Sequence, residues 1–191
     1  MSTSAERGRE VRRRLLAAAA ELIAERGWAA VSTRLLAERA GVAPGLVHYH
    51  FASLPALLTE AAVGVLRATA AALGPLLDRA DTPAEALRLL VGWLDGYTGS
   101  DPTSVLFMET YLAATRDPAL HAAVAEVTAE FRTRFASWLA THGVPDPEAT
   151  ASVLGAAVDG LVIHRALDPT LTADVLAPVL ARLTPTKEAH R

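Results

Sequence analysis

Four times between residues 82 and 147 an Asp or Thr stands directly before a proline: Thr82-Pro83, Asp101-Pro102, Asp117-Pro118 and Asp146-Pro147. An Asp or Thr at a helix N-cap accepts from the first free backbone N–H groups. Proline at the next position costs nothing, because its missing N–H would have no partner there. Each pair reads as a helix start, and each opens a run with helical periodicity. The predicted helices span 83–98, 102–115, 118–142 and 147–167, with a last one over 173–183 that Pro178 interrupts. Upstream, Val11, Leu15, Ala18, Ala19, Leu22 and Ile23 make one apolar stripe on a helix over Arg7–Arg26, which Gly27 stops. Ser32 caps a short helix over Thr33–Ala40, another covers Pro44–Phe51, and Ser53 caps a long one over 55–79 that Gly74-Pro75 kinks or breaks. No alternating strand pattern appears. The chain is read as all-α, with about nine helices.

Composition agrees. Alanine, the best helix former, supplies about one residue in five, and aromatics only 5%. At 191 residues a core can form without staples. The absence of cysteine excludes a thiol nucleophile, a Cys-ligated zinc and an iron–sulfur cluster. The charge-free stretches Ala68–Leu77 and Ala149–Val158 reach about half of the ~20 residues of a membrane span, and Leu15–Ala20 is too short for a signal peptide. A cytoplasmic protein with no membrane partner is expected. The net charge of −3 hides an asymmetry. Residues 1–53 hold eight Arg against five acids, and residues 54–191 hold ten Lys and Arg against sixteen. A basic front on an acidic body suits a nucleic-acid reader joined to a ligand or oligomerisation domain.

The segment Ser32–Phe51, STRLLAERAGVAPGLVHYHF, places two short helices around a tight turn at Gly41. Leu36, Ala37, Ala40 and Val47 face inward, Val42 plugs the turn, and Ala37 allows close crossing. This is the pattern of a helix-turn-helix whose second helix enters the major groove. Over about Arg7–Leu58 the chain resembles the TetR/AcrR family of transcriptional repressors. The resemblance is carried by Gly27-Trp28, Ser32-Thr33-Arg34, Ala37 to Val42, and the ending Val47-His48-Tyr49-His50-Phe51. Farther on, Asp159-Gly160-Leu161 and Leu167-Asp168-Pro169 resemble stretches of its C-terminal domains.

The expected DNA contacts are Thr33 and Arg34 at the start of helix 2, Pro44, Gly45 and Leu46 at the start of the recognition helix, and His48, Tyr49 and His50 at its end. Leu46 suits a thymine methyl, and Tyr49 and His50 suit phosphates. Two places depart from the family. Leu54 stands where a phosphate-binding Lys is usual, and Ala43-Pro44 where Ser/Thr-Lys is usual. Binding then leans on Arg34, the Tyr/His cluster and Arg7, Arg9, Arg12 or Arg13.

In the body, Trp93, Tyr97, Phe107, Met108, Tyr111, Phe135 and His164 are candidates for a largely apolar small-molecule site, with Glu109, Arg116 and His121 as possible polar partners. Any one of these aromatics can equally be plain core. Val153, Ala156, Ala157, Gly160 and Leu161, with Val175 and Val179 on the last helix, make a small, apolar pair of faces. The resemblance implies a four-helix dimer interface there, and a two-fold reader of a near-palindrome needs one. No GxSxG, HExxH, P-loop or dinucleotide motif is present, so neither an enzyme nor a metal or cofactor is expected. The chain is read as a helix-turn-helix domain over 1–53 and a ligand-binding and dimerisation domain over 54–191. Together they make a repressor that binds a palindromic operator as a homodimer and is released by a small apolar or amphipathic molecule. The alternative is a helical dimeric ligand-binding or interaction protein whose helix-turn-helix does not bind DNA.

Overall fold

A computed structural model describes residues 4–185. Among them are nine α-helices and no strand: α1 (Ser4–Arg26), α2 (Thr33–Ala40), α3 (Gly45–His50), α4 (Leu54–Asp78), α5 (Pro83–Leu94), α6 (Pro102–Ala114), α7 (Pro118–Thr141), α8 (Pro147–Arg165) and α9 (Ala173–Leu180). Short 3-10 turns cover Trp28–Ala30 and Ala181–Leu183. The all-α reading holds, with an N-terminal helix-turn-helix followed by a helical body.

Three of the four Asp/Thr-Pro starts cap as expected. Thr82 Oγ1 accepts from the Glu85 N–H at 3.2 Å, Asp101 Oδ1 from Thr103 and Ser104 at 3.1 and 3.0 Å, and Asp117 Oδ1 from Ala119 and Leu120 at 2.9 and 3.2 Å. Asp146 does not. Its backbone is left-handed (φ 46°), and its side chain caps nothing. Ser32 and Ser53 cap α2 and α4 through the N–H groups of Leu35 and Ala56.

Three helix boundaries need correction. α4 runs through Gly74-Pro75, and α9 through Pro178, as continuous helices. A proline removes one backbone bond, and packing on both sides can outweigh that loss. The helix expected over 83–98 ends at Leu94, where a turn leads to Gly99 at φ +80°.

The chain divides into two compact units. The first joins the chain up to Arg67 with Val105–Val124, and the second joins Ala68–Ser104 with the chain from Ala125 onward. In the first, Leu15, Leu22, Ile23, Leu36, Val47, Phe51, Leu57 and Leu106 are all buried in one core. In the second, Leu77, Leu87, Val91, Phe135, Leu139 and Leu154 form another, with α9 packed on α5. α4 is long and apolar enough by composition to cross a membrane. Its apolar residues have an ordinary use, since Leu57, Leu58, Ala61 and Ala62 are core in the first unit and Leu77 in the second.

One buried cation organises the second unit. Arg165 is 6% exposed and ends α8. Its guanidinium donates to the Leu94 carbonyl at the end of α5, to Asp95 Oδ1 (2.5 Å) and to the Leu171 carbonyl (2.5 Å). Asp95 Oδ1 also accepts the Ala173 N–H that opens α9 (3.1 Å). A single side chain thus answers groups at the ends of two helices, which burial would otherwise leave unpaired.

Candidate nucleic-acid interface

The helix-turn-helix is built from local chemistry. Gly41 ends α2 in the left-handed region (φ 62°, ψ 43°), and the Val42 N–H closes the turn on the Ala37 carbonyl at 3.0 Å. A side chain at Gly41 would also meet the Arg14 guanidinium, which donates to the carbonyls of Ala40 and Gly41. A cation there suits the negative end of α2. Val47 and Phe51 are buried, so α3 is seated by its inner face and presents the other.

That outer face holds the expected readers. Pro44, Gly45, His48 and Tyr49 are exposed, and Leu46 and His50 are half-buried. Tyr49 is 80% exposed, the highest value among the large hydrophobic residues described in this unit, and its ring meets that of His50 edge-on at 5.0 Å. His50 lies beside α1, with its Cε1 3.8 Å from the point where Gly8 would carry a Cβ. Thr33 is half-buried and Arg34 exposed, side by side in the first turn of α2.

The other arginines are mostly engaged. Arg12 pairs with Glu60 at 2.6 Å and lies over the Phe51 ring at 4.8 Å. Arg13 pairs with Glu10 at 2.6 Å, and this hydrogen bond holds the Glu10 carboxyl below its ordinary range. Arg39 donates to both oxygens of Glu25, lowering that carboxyl too. Arg34 makes no such pair among the described residues. Arg12 and Arg13 were expected to be available for DNA, but they are held by carboxylates on α4 and α1. Periodicity could not show this for Arg12, whose partner is 48 residues away.

The body candidates fall in different places. Trp93 and Tyr97 belong to the second unit and pack ring to ring at 4.8 Å, although Tyr97 lies past the end of α5. Burial, with the nearby Asp101 charge, pushes the Tyr97 hydroxyl up from its ordinary pKa, and a hydrogen bond with Thr69 opposes this. Phe135 is 2% exposed in the core of that unit, and His164 is exposed on α8. Phe107, Met108 and Tyr111 lie on the part of α6 that belongs to the first unit. Glu109, considered as a polar partner for a ligand, accepts the Trp28 N–H at 2.8 Å.

On α8 and α9, Val153, Val175 and Val179 are 55%, 57% and 52% exposed, Ala156 is exposed, and Gly160 is half-buried. Ala157 and Leu161 turn partly onto their own core. Ile163, Leu167 and Leu183 extend the exposed apolar set. Sequence reading missed these three, although the i, i+4 spacing of Ile163 and Leu167 on and just past α8 was available as a signal.

Two family models match: the bacterial regulatory proteins of the tetR family over residues 15–61, and the tetracyclin repressor-like C-terminal domain over residues 81–186. The chain belongs to the TetR family. It is therefore a DNA-binding transcriptional regulator, and the helix-turn-helix just described is its reading head. The fold recurs in a transcriptional regulator of Streptomyces coelicolor A3(2), 35% identical, covering 93% of this chain and 99% of that one with a TM-score of 0.75. It recurs in the multidrug binding protein EbrR complexed with malachite green (32% identical, 92% and 98% covered, TM-score 0.68). A TetR-family regulator from Rhodococcus sp. is 26% identical over 93% and 100% of the two chains, with a TM-score of 0.73. Comparison with the curated proteins gives no match.

Proposed function

We propose that this TetR-family regulator is a homodimeric, effector-released repressor working in the cytoplasm on a near-palindromic operator, with residues 1–53 reading DNA and residues 54–191 serving effector binding and dimerisation. The observation that carries the reading is the outer face of α3, where Tyr49 and His48 are exposed, together with Arg34, exposed in the first turn of α2 and in no ion pair among the described residues. Pro44, Gly45 and Leu46 approach the base edges, where Leu46 favours a thymine methyl. Thr33, Tyr49 and His50 hold phosphates and set the register, and Arg34 supplies the charge.

The exposed apolar residues Val153, Val175 and Val179, with Ala156 and Gly160, support pairing of two copies through α8 and α9. Two recognition helices related by a two-fold axis then meet two half-sites. A small apolar or amphipathic effector is supported by the half-buried pair of Trp93 and Tyr97, and by EbrR, a relative that holds malachite green. A coupling of about 1–3 kcal/mol between effector and operator suffices to change occupancy 5–150-fold.

The test is selection of bound duplexes from a random library, followed by titration of the enriched sequence. The expected result is an inverted repeat bound by a dimer. Arg34→Ala is expected to lose operator affinity while the dimer and its helicity stay unchanged. Enrichment of no sequence over random duplex would refute operator binding. Equal binding by Arg34→Ala would remove Arg34 from the reader.

A further inference from the structure

We infer that Glu109 of α6 is a positioning residue for DNA reading: its carboxylate fixes the joint between α1 and the helix-turn-helix without touching DNA.

The joint is Gly27-Trp28. α1 ends at Arg26, Gly27 turns the chain at φ +84°, and a 3-10 turn starts at Trp28. The first N–H of such a turn has no partner within the turn, and Gly27 has no side chain to provide one. Glu109 Oε2 accepts that N–H at 2.8 Å from 81 residues away. The same oxygen lies 3.3 Å from the point where Gly27 would carry a Cβ, so the turn is shaped around the carboxylate. A partly desolvated bond to an ionised acceptor is stronger and more directional than a neutral one.

What the joint holds is the reading head. Leu22 and Ile23 before it, and Val31 after it, are buried in the core that also seats α2 and α3. Ser32 then caps α2 at once. The angle at which the chain leaves Trp28 therefore sets how α2 and α3 are offered. Glu109 is itself held in register: Leu106, one turn earlier on α6, is buried in that same core, and the Thr110 hydroxyl donates to the Leu106 carbonyl at 2.6 Å. A shift of α6 along its axis would both uncover Leu106 and withdraw the carboxylate from Trp28. Phe107 and Met108 adjoin Glu109 in sequence, so an effector that moves α6 would move the acceptor with it. This last step rests on the effector reading above, whereas the positioning of Trp28 does not.

The experiment uses the full-length protein, with amide hydrogen exchange over Gly27–Val31 and titration of the operator enriched by selection. Glu109→Ala is expected to speed exchange at the Trp28 amide about tenfold or more and to weaken operator binding by roughly tenfold. Binding to random duplex, which depends on charge rather than on placement, stays at the wild-type level. Glu109→Gln retains an oxygen acceptor and is expected to recover most of both effects. Gly27→Ala, which strains the joint but leaves the carboxylate, reproduces the alanine phenotype and serves if Glu109→Ala does not fold. Wild-type exchange and wild-type operator affinity in Glu109→Ala would overturn the inference. So would glutamine behaving like alanine, or parallel loss of specific and random binding with deprotection spread across α1–α3. If the wild type enriches no operator, the repressor reading fails, and the alanine-to-glutamine exchange ratio at Trp28 still decides for or against the joint.

Discussion

Gly99 and Gly143 share a left-handed backbone, at φ +80° and +72°, but not a neighbourhood. A Cβ at Gly143 would meet nothing within 4 Å. At Gly99 it would collide with backbone at the end of α8, the Val162 carbonyl and the amide of Ala166 just beyond it. Gly143→Ala is expected to cost about 1–2 kcal/mol, the strain of the conformation alone. Gly99→Ala adds a clash that no rotamer relieves, for a total of roughly 2–5 kcal/mol. Chemical denaturation of the two variants separates the terms, and equal losses would mean that the close approach does not matter. Arg165 poses the complementary case. Arg165→Met preserves bulk but strands the Leu94 and Leu171 carbonyls, at about 1–3 kcal/mol each. Its ion pair with Asp95 adds little, because Asp95 is 44% exposed. Cooperative unfolding should therefore fall by about 2–6 kcal/mol in Arg165→Met and by much less in Asp95→Asn.

At the scale of an element, α6 shows how a helix start can carry a pH dependence. Asp101 is partly buried, which raises its pKa. The Ser104 hydroxyl (2.5 Å) and the N–H groups of Ser104 and Thr98 outweigh this, and the carboxyl ends below its ordinary value. A depressed carboxyl contributes stability that is fully present above the unfolded pKa of about 4 and lost as pH falls through the folded one. Denaturation midpoints measured from neutral pH down into the acid range should show that loss, and Asp101→Asn should flatten this part of the curve. At neutral pH, Asp101→Ala is expected to cost about 1 kcal/mol, the usual value of a cap. An unchanged acid limb in the Asn variant would show that the cap does not titrate as described.

For the whole molecule the decisive property is association. Val153 and Val179 are exposed on α8 and α9, so a charge at either position has little effect on a single chain. Buried between two copies, an unpaired charge is costly. Val153→Arg or Val179→Glu is expected to yield a folded monomer by sedimentation, with unchanged helicity and lost operator binding. A dimer of wild-type affinity would place the interface elsewhere. Salt dependence belongs to the same scale. Of the arginines expected at phosphate, Arg12 and Arg13 are engaged within the protein, which leaves Arg34 with Arg7 and Arg9. Three cations from each of two protomers bound the log–log slope at about −5. A steeper slope would mean that the intramolecular pairs open on DNA.

The sequence by itself determined whatever one or two helical turns can encode: the caps at Ser32, Ser53, Thr82, Asp101 and Asp117, the left-handed stop at Gly41, the inward set Leu36, Ala37, Val47 and Phe51, and with them a helix-turn-helix on an all-α body. Those features depend on spacings of three or four residues, which a linear pattern displays. Some local signals were overridden. Pro75 and Pro178 look like breaks, yet packing along α4 and α9 outweighs one missing bond each. What only the tertiary structure decided are pairings that no period announces. Arg12 meets Glu60, Arg165 meets Leu94 and Asp95 some seventy residues away, and Glu109 answers the Trp28 amide across 81 positions. Arg12 and Glu60 form an exposed pair; for the other two the physical reason is common. A buried or half-buried polar group must find a partner, and which partner lies within 3 Å is fixed by how the helices pack.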